Sequence, residues 1–319
     1  MSASFQVLVT APNWAPSAQD IVHGAGGQIT FLPEPITEDV LAAHLAATGA
    51  QALVLRGSKP VSDRVLAAAP ELKIVAKNGA GVDSVDLAAA RQRGVAVAVA
   101  PAANADAVAE HALALMLALT RQLPTLDRRV HSGGWADSSW QGRDFRGSVV
   151  GIVGYGSIGR STARLAAALG ARVLVLRADG QADSHATEPD LDRFLAQIDI
   201  LSLHCPLTKR TRGMIGEREL SRMRRGSLLI NTARGPVVDE AALLQALQSG
   251  QLEGAGLDTF DTEPLPSGHP LLALPNVLLT PHVAGVTRNA ALQVANITAR
   301  NIVDYLATGS LPAHHLVTG

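Results

Sequence analysis

The stretch VVGIVGYGSIGRSTARLAAALGARVLVLRAD, residues 149–179, constrains the fold more than any other part of the chain. An apolar strand runs into Gly154, Gly156 and Gly159 spaced as G-x-G-x-x-G, then a helix stopped by Gly170, then a second apolar strand. Strands joined through a helix need a crossover and therefore lie parallel. Gly154 permits the tight turn, Gly156 lets backbone approach a pyrophosphate, and Gly159 lets helix and strand pack closely. The helix start adds unpaired N–H groups and a positive dipole end. The turn is expected to hold a dinucleotide. Ile158, Thr162, Leu165, Ala166 and Leu169 are expected on one face of the helix.

The same alternation fills the rest of the 319 residues, a length that favours two domains. Strands are expected at 6–10, 51–55, 72–76 and 95–99, and again at 149–153, 172–176, 199–204, 227–231, 254–257 and 276–279. Between them lie helices with local stop and start signals: Thr37 to Gly49, a helix ending at Gly94, and 239–249 between Asp239 and Gly250. A long helix is expected at 104–122, and a last one at 287–307 between Thr287 and Gly309. Residues 131–147, polar and Gly-rich, read as an irregular excursion. Trp135 in it is read as local loop core, with an oligomer interface or a reach into a neighbouring active site as the alternatives for Trp135 and Trp140. The fold class is α/β, two doubly wound parallel-sheet units with the second inserted before the C-terminal helix.

Apolar residues make up 47% and charged ones 17%, which supports a packed core and excludes extended disorder. A net charge of −1 leaves no basic face for nucleic acid. The single cysteine, Cys205, excludes an intrachain disulfide and a multi-Cys metal site, and no His/Asp/Glu cluster has metal-ligand spacing. A reducing, cytoplasmic setting fits this, and the N-terminus lacks the pattern of a secretory signal. The run AVAEHALALMLALT contains Glu110 and His111 and is shorter than the ~20 apolar residues of a membrane span. It reads as a buried helix.

Three strand ends of the second half carry unusual polar residues: Arg234 in INTARGPVVDE, Asp258 and Glu263 in GLDTFDTEP, and His282 in LLTPHVAG. In open parallel sheets ligands sit beyond the carboxyl ends of the strands, so these residues share one side. An imidazole can give a proton to a carbonyl oxygen under reduction, a carboxylate can orient it, and a guanidinium can pair with a carboxylate. Where a dinucleotide site usually has an acidic residue for the ribose, the second strand ends in Arg177. A cation there suits a 2′-phosphate, which favours NADP and leaves NAD possible; Asp179 lies two residues further on, within reach of a ribose. Arg56 is a candidate second contact to an acidic substrate. His204 is read as structural, and His314-His315 as solvated.

NGAGVDSVDL, NADAVAEHALALML, GIVGYGSIGR, LHCPLTKRTRGMI, INTARGPVVDE, GLDTFDTEP and LLTPHVAG occur in one order over nearly the whole chain. In that succession the sequence resembles the D-isomer-specific 2-hydroxyacid dehydrogenases. The resemblance implies a Rossmann nucleotide-binding domain at 102–285 inserted into a flavodoxin-like substrate domain made of 1–101 and 286–319, and a homodimer. It implies Arg234, Glu263 and His282 as the catalytic set. It places the cofactor against Gly154, Gly156, Ser157, Ile158, Gly159, Cys205, Pro206, Thr211, Thr232, Ala233, Asp258, His282 and Gly285, with Asp258 on the nicotinamide carboxamide; Arg177, the further cofactor contact read from the residues, departs from the aspartate the family usually has there. It places the substrate against Gly79, Ala80, Gly81, Arg234 and His282, to which the residues add Arg56. The implied activity is hydride transfer between NAD(P)H and a small 2-oxo acid or D-2-hydroxy acid, with glyoxylate or hydroxypyruvate as the leading substrates. An NAD-linked 3-phosphoglycerate dehydrogenase and a non-catalytic NAD(H)-sensing protein are the alternatives.

Overall fold

The computed structural model describes residues 4–177 and 183–318, so Asp179 lies outside the described residues. The chain divides into two compact units, Met1–Asn104 with Val286–Gly319, and Ala105–Gly285.

The first unit runs β1 (Phe5–Val9), α1 (Pro16–Gly24), β2 (Gly27–Phe31), α2 (Glu38–Thr48), β3 (Ala52–Leu55), α3 (Asp63–Ala67), β4 (Ile74–Lys77), α4 (Leu87–Gln92) and β5 (Ala96–Ala98). The second runs α5 (Ala105–Thr120), α6 (Leu123–His131), β6 (Val149–Val153), α7 (Ser157–Ala168), β7 (Arg172–Leu176), β8 (Ala186–Glu188), α8 (Leu191–Gln197), β9 (Ile200–Leu203), α9 (Glu217–Arg222), β10 (Ser227–Asn231), α10 (Glu240–Gln248), β11 (Leu252–Leu257) and β12 (Val277–Leu279). The chain returns to the first unit with α11 (Arg288–Thr308) and β13 (Leu316–Thr318).

The sheet of the first unit has the order β13-β5-β4-β3-β1-β2. The sheet of the second has the order β12-β11-β10-β9-β6-β7-β8 and is parallel throughout. Each sheet carries apolar clusters on both faces, and the inner strands β3, β6, β9 and β10 are buried along their whole length. Strands covered on both faces read as unbroken apolar runs, which is why they were visible in the sequence. Helix ends follow local chemistry equally well. Thr37, Asp239 and Thr287 cap α2, α10 and α11 by accepting the N–H groups of Val40, Ala242 and Ala290. Gly49 and Gly309 close α2 and α11 in the left-handed region.

Several expectations need correction. The first sheet is not purely parallel, because β13 runs antiparallel to β5. The tail before β13 is not simply solvated: His315 contacts Asn301 Oδ1 at 2.7 Å, and its carbonyl accepts the N–H of Val99. Edge strands β2 and β8 were not expected; both are short or half-exposed and owe their form to pairing with β1 and β7. Residues 123–131 form a helix of their own, α6, with no buried side chain. Trp135 is 80% exposed and does not form a loop core. On α7 the buried stripe is Gly159, Thr162, Ala163 and Ala166, packed against α5, while Leu169 lies past the helix end and is exposed. Small residues line the stripe because two helix backbones approach closely there.

Candidate active site

In the second sheet the strand order reverses between β6 and β9, and the glycine turn sits at that switch point, where α/β sheets bind ligands. Its glycines have three different reasons to be there. Gly154 has φ +91°, and a Cβ on it would fall 2.5 Å from the Cys205 nitrogen at the end of β9. A Cβ on Gly159 would fall 2.0 Å from the Gly154 carbonyl oxygen. A Cβ on Gly156 would meet nothing within 4 Å. The first two are closed by the protein itself, and Gly156 faces open space. Behind it Ser157 and Ile158 open α7, whose N-terminus carries no side-chain cap. An open glycine and uncapped N–H groups fit the pyrophosphate of a dinucleotide. A second indication is Thr232, at the end of β10, whose buried hydroxyl has no partner among the described residues.

The end of β7 is built from cations and one aromatic ring. The Arg160 guanidinium lies 4.8 Å from the Tyr155 ring centre and that of Arg177 5.8 Å. Asp183 accepts hydrogen bonds from Arg160 at 2.7 and 2.8 Å and from the Tyr155 hydroxyl at 2.9 Å. These contacts hold the Asp183 carboxyl below its ordinary range, the Tyr155 hydroxyl bond first and Arg160 next. At the end of β9, burial takes the His204 pKa down to about 4, and its Nε2 lies 2.9 Å from Ser202 Oγ. That is the structural role expected of it. Burial pushes the Cys205 thiol up, away from nucleophilic reactivity. Thr211 serves its own loop, donating to the Pro206 carbonyl and accepting from Thr208.

Arg234, Glu263 and His282 come from three strand ends of this sheet and are brought to one place by backbone proximity. Asn231 organises the first turn, donating to the Arg234 carbonyl at 2.9 Å and accepting the Ala233 N–H at 3.0 Å. Arg234 Nη1 donates to the Ala233 carbonyl at 2.6 Å. Gly235 follows, and a Cβ there would fall 2.0 Å from the Phe260 carbonyl carbon and 2.4 Å from the Asp261 nitrogen. Only glycine lets the Arg234 turn lie against the 258–263 loop. In that loop Glu263 Oε1 accepts the Phe260 N–H at 3.1 Å, and Oε2 meets His282 Nδ1 at 2.7 Å. Burial works to raise the Glu263 pKa, but the His282 and Phe260 bonds and the charges of His282 and Arg234 outweigh it and hold the carboxyl low.

His282 has φ +55°, a left-handed conformation that non-glycine residues adopt at a cost of about 1–3 kcal/mol. The compensating contacts come from Asp258, which is fully buried. Its Oδ1 accepts the Val283 N–H at 2.9 Å and the Thr280 hydroxyl at 2.6 Å, and its Oδ2 accepts the Ala284 N–H at 2.8 Å. Asp258 therefore staples the turn that presents His282, which is more than the carboxamide contact expected of it.

In the first unit, Gly79, Ala80 and Gly81 form the loop after β4. The Gly79 carbonyl accepts the Ala100 N–H, and among the described residues nothing accepts the N–H groups of Ala80 and Gly81. Arg56, after β3, donates to the Asn13 carbonyl at 2.8 Å and to Asn13 Oδ1 at 3.2 Å. The Lys77 ammonium is on the Gly57 carbonyl.

Residues 113–284 match the family described as D-isomer specific 2-hydroxyacid dehydrogenase, NAD binding domain. The chain belongs to the D-isomer specific 2-hydroxyacid dehydrogenase family. A D-3-phosphoglycerate dehydrogenase of Archaeoglobus fulgidus is 40% identical over 84% of this chain and 51% of its own length, so the chain spans about half of that relative. A glyoxylate reductase of Thermofilum pendens is 39% identical over 79% of this chain and 77% of its own. A solved structure of a Thermus thermophilus protein has a TM-score of 0.90 at 34% identity, covering 98% of this chain and 100% of that one. A glyoxylate reductase structure from Paecilomyes thermophila has a TM-score of 0.87 at 29% identity, covering 98% of both chains.

In this chain the trio named from the sequence lies together in the second unit. Sequence reading missed the residues that bring it together: Asn231, Gly235 and the stapling role of Asp258. A polar Asn closing an apolar strand and a Gly after Arg234 were visible signals. What they touch was not. It also missed Tyr155, Arg160 and Asp183 beside Arg177, because the contact joins two separate turns.

Proposed function

We propose that this chain is an NADP-preferring oxidoreductase that reduces a small 2-oxo acid to a D-2-hydroxy acid, with glyoxylate or hydroxypyruvate as substrate. The observation that carries it is the 2.7 Å contact between His282 Nδ1 and Glu263 Oε2 beside Arg234. With Nδ1 engaged by the carboxylate, Nε2 is the ring nitrogen left to hold a proton for the substrate oxygen. Glu263 fixes the orientation of the ring through that contact. Arg234 pairs with the substrate carboxylate and stabilises negative charge growing on the C2 oxygen. A reduced nicotinamide bound there would supply the hydride for C2, and His282 would supply the proton to the oxygen, which balances the reduction of the 2-oxo acid to the hydroxy acid. The N–H groups of Ala80 and Gly81 are assigned to the substrate carboxylate, with Arg56 as a further contact. The remaining cofactor contacts are those of Gly156, Ser157, Ile158, Cys205, Pro206, Thr211, Thr232, Ala233, Asp258 and Gly285.

Preference for NADP is supported by Arg177 and Arg160 flanking Tyr155 where the adenosine ribose would lie. A small, unphosphorylated acid is supported by the glyoxylate reductases among the relatives and by the engagement of the Lys77 ammonium with the Gly57 carbonyl. The phosphoglycerate dehydrogenase of Archaeoglobus fulgidus favours the second reading, a phosphorylated substrate. The homodimer belongs to the same proposal, with exposed Leu123, Val130 and Trp135 as the surface it would cover. No described helix is long and apolar enough to cross a membrane.

The test is a panel of glyoxylate, hydroxypyruvate and 3-phosphohydroxypyruvate with NADPH or NADH, run on the native protein and on His282→Ala. Turnover of glyoxylate or hydroxypyruvate should be fastest with NADPH. His282→Ala should lose about two or more orders of magnitude in kcat while nucleotide binding persists. Full activity in that variant, or nucleotide binding with no turnover of any acid by the native protein, would reject the enzyme reading; the second result would favour a nucleotide sensor.

A further inference from the structure

Behind the turn that carries His282, a chain of hydrogen bonds leads to a residue with no assigned role. His111, on α5, places Nε2 at 3.0 Å from Thr280 Oγ1. Thr280 Oγ1 donates to Asp258 Oδ1 at 2.6 Å, and Asp258 receives the N–H groups of Val283 and Ala284. Sequence separations of 169 between His111 and Thr280 and 22 between Thr280 and Asp258 make this a product of the tertiary fold.

The direction of the chain follows from proton counting. A threonine hydroxyl has one proton. A carboxylate oxygen only accepts, so the 2.6 Å contact is made by the hydroxyl proton pointing at Asp258 Oδ1. The remaining contact of the hydroxyl must then be accepted, and its donor is His111 Nε2–H. The order is His111 Nε2–H to Thr280, Thr280 O–H to Asp258, and Asp258 to the backbone of residues 283 and 284. Every buried oxygen in that order has a donor, and reversing one link leaves two acceptors facing each other.

We propose that His111 is a positioning residue for His282. Its Nε2–H holds the Thr280 rotamer, Thr280 aims one oxygen of Asp258, and Asp258 holds the left-handed turn that presents the imidazole. This inference rests on the proposed role of His282 as proton donor. It touches neither Arg234 nor the glycine turn, so its loss should fall on the proton-transfer step and spare substrate binding.

The test uses His111→Leu, His111→Gln, Thr280→Val and the His111→Leu/Thr280→Val double variant in the full chain. His111→Leu should lower kcat roughly tenfold, since a small misplacement of a reacting group is felt strongly in rate. KM for the 2-oxo acid should stay within about twofold, because Arg234 is unaffected. His111→Gln, which can still donate to Thr280, should recover most of kcat. Thr280→Val should resemble His111→Leu, and the double variant should be no slower than Thr280→Val alone, because the two act in series. Nitrogen-15 NMR of the native protein should find His111 protonated at Nε2. Protonation at Nδ1 alone, multiplicative losses in the double variant, or full kcat in His111→Leu while His282→Ala is inactive would each overturn the inference. Full activity of His282→Ala would instead reject the proposed function, and the tautomer measurement, which needs no turnover, would still decide whether His111 donates.

Discussion

Replacing Gly235 by alanine should disable the site without touching any group that does chemistry. A Cβ on Gly235 would sit 2.0, 2.2 and 2.4 Å from the Phe260 carbonyl carbon, its oxygen and the Asp261 nitrogen. Real Cβ contacts essentially never fall under 3.0 Å, and all three neighbours are backbone, so no rotamer change can relieve them. The Arg234 turn and the 258–263 loop must separate by at least about 1 Å, a displacement of the size that costs roughly 100-fold in rate when reacting groups are involved. Arg234 stands on one side of that junction and Glu263, with His282 on its carboxylate, on the other. We expect Gly235→Ala to lower kcat/KM by roughly two orders of magnitude. Overpacking of this kind costs about 1–3 kcal/mol, so the fall in Tm should be several degrees and the protein should remain folded at 25 °C. Steady-state kinetics, a thermal melt and nucleotide titration report the three quantities. The titration should still show nucleotide bound, because the glycine turn at 154–159 is made by other strand ends. Native kcat/KM in a folded Gly235→Ala protein would refute the close-approach argument.

Three further outcomes follow from the charges. Arg177→Asp should raise KM for NADPH far more than for NADH. Asp183→Asn should do the opposite and lower KM for NADPH, because the Asp183 carboxylate occupies the Arg160 guanidinium that a 2′-phosphate would use. A rise in KM for NADH alone in Asp183→Asn would make Asp183 a ribose ligand instead. Glu263 titrates lower in the folded chain than its ordinary value of 4.5, so its stabilising contribution is complete above that value and is lost as pH falls through the folded one. The Tm gap between the native protein and Glu263→Gln should therefore narrow in acid, measured by melts from neutral pH downward; a gap that widens would contradict the sign.

Features whose causes are local were legible in the amino-acid order. The turn at Gly154, Gly156 and Gly159, the caps at Thr37, Asp239 and Thr287, and the buried runs of β6, β9 and β10 each depend on a few neighbouring residues. Arg234, Glu263 and His282 stood out because each follows an apolar run inside a motif that the family resemblance marks. Short edge strands were not. Three-residue segments such as β8 and β13 have no pattern of their own and exist because an open edge of β7 or β5 is there to pair with. Nor could the order of residues say that Trp135 stays exposed, that Gly235 lies against Phe260, or that Asp258 holds the His282 turn. Those facts are set by which strand ends become neighbours. Spacing along a chain encodes turns and periodicity, while contact across it is decided only when the sheet has closed and every buried donor and acceptor has found its partner.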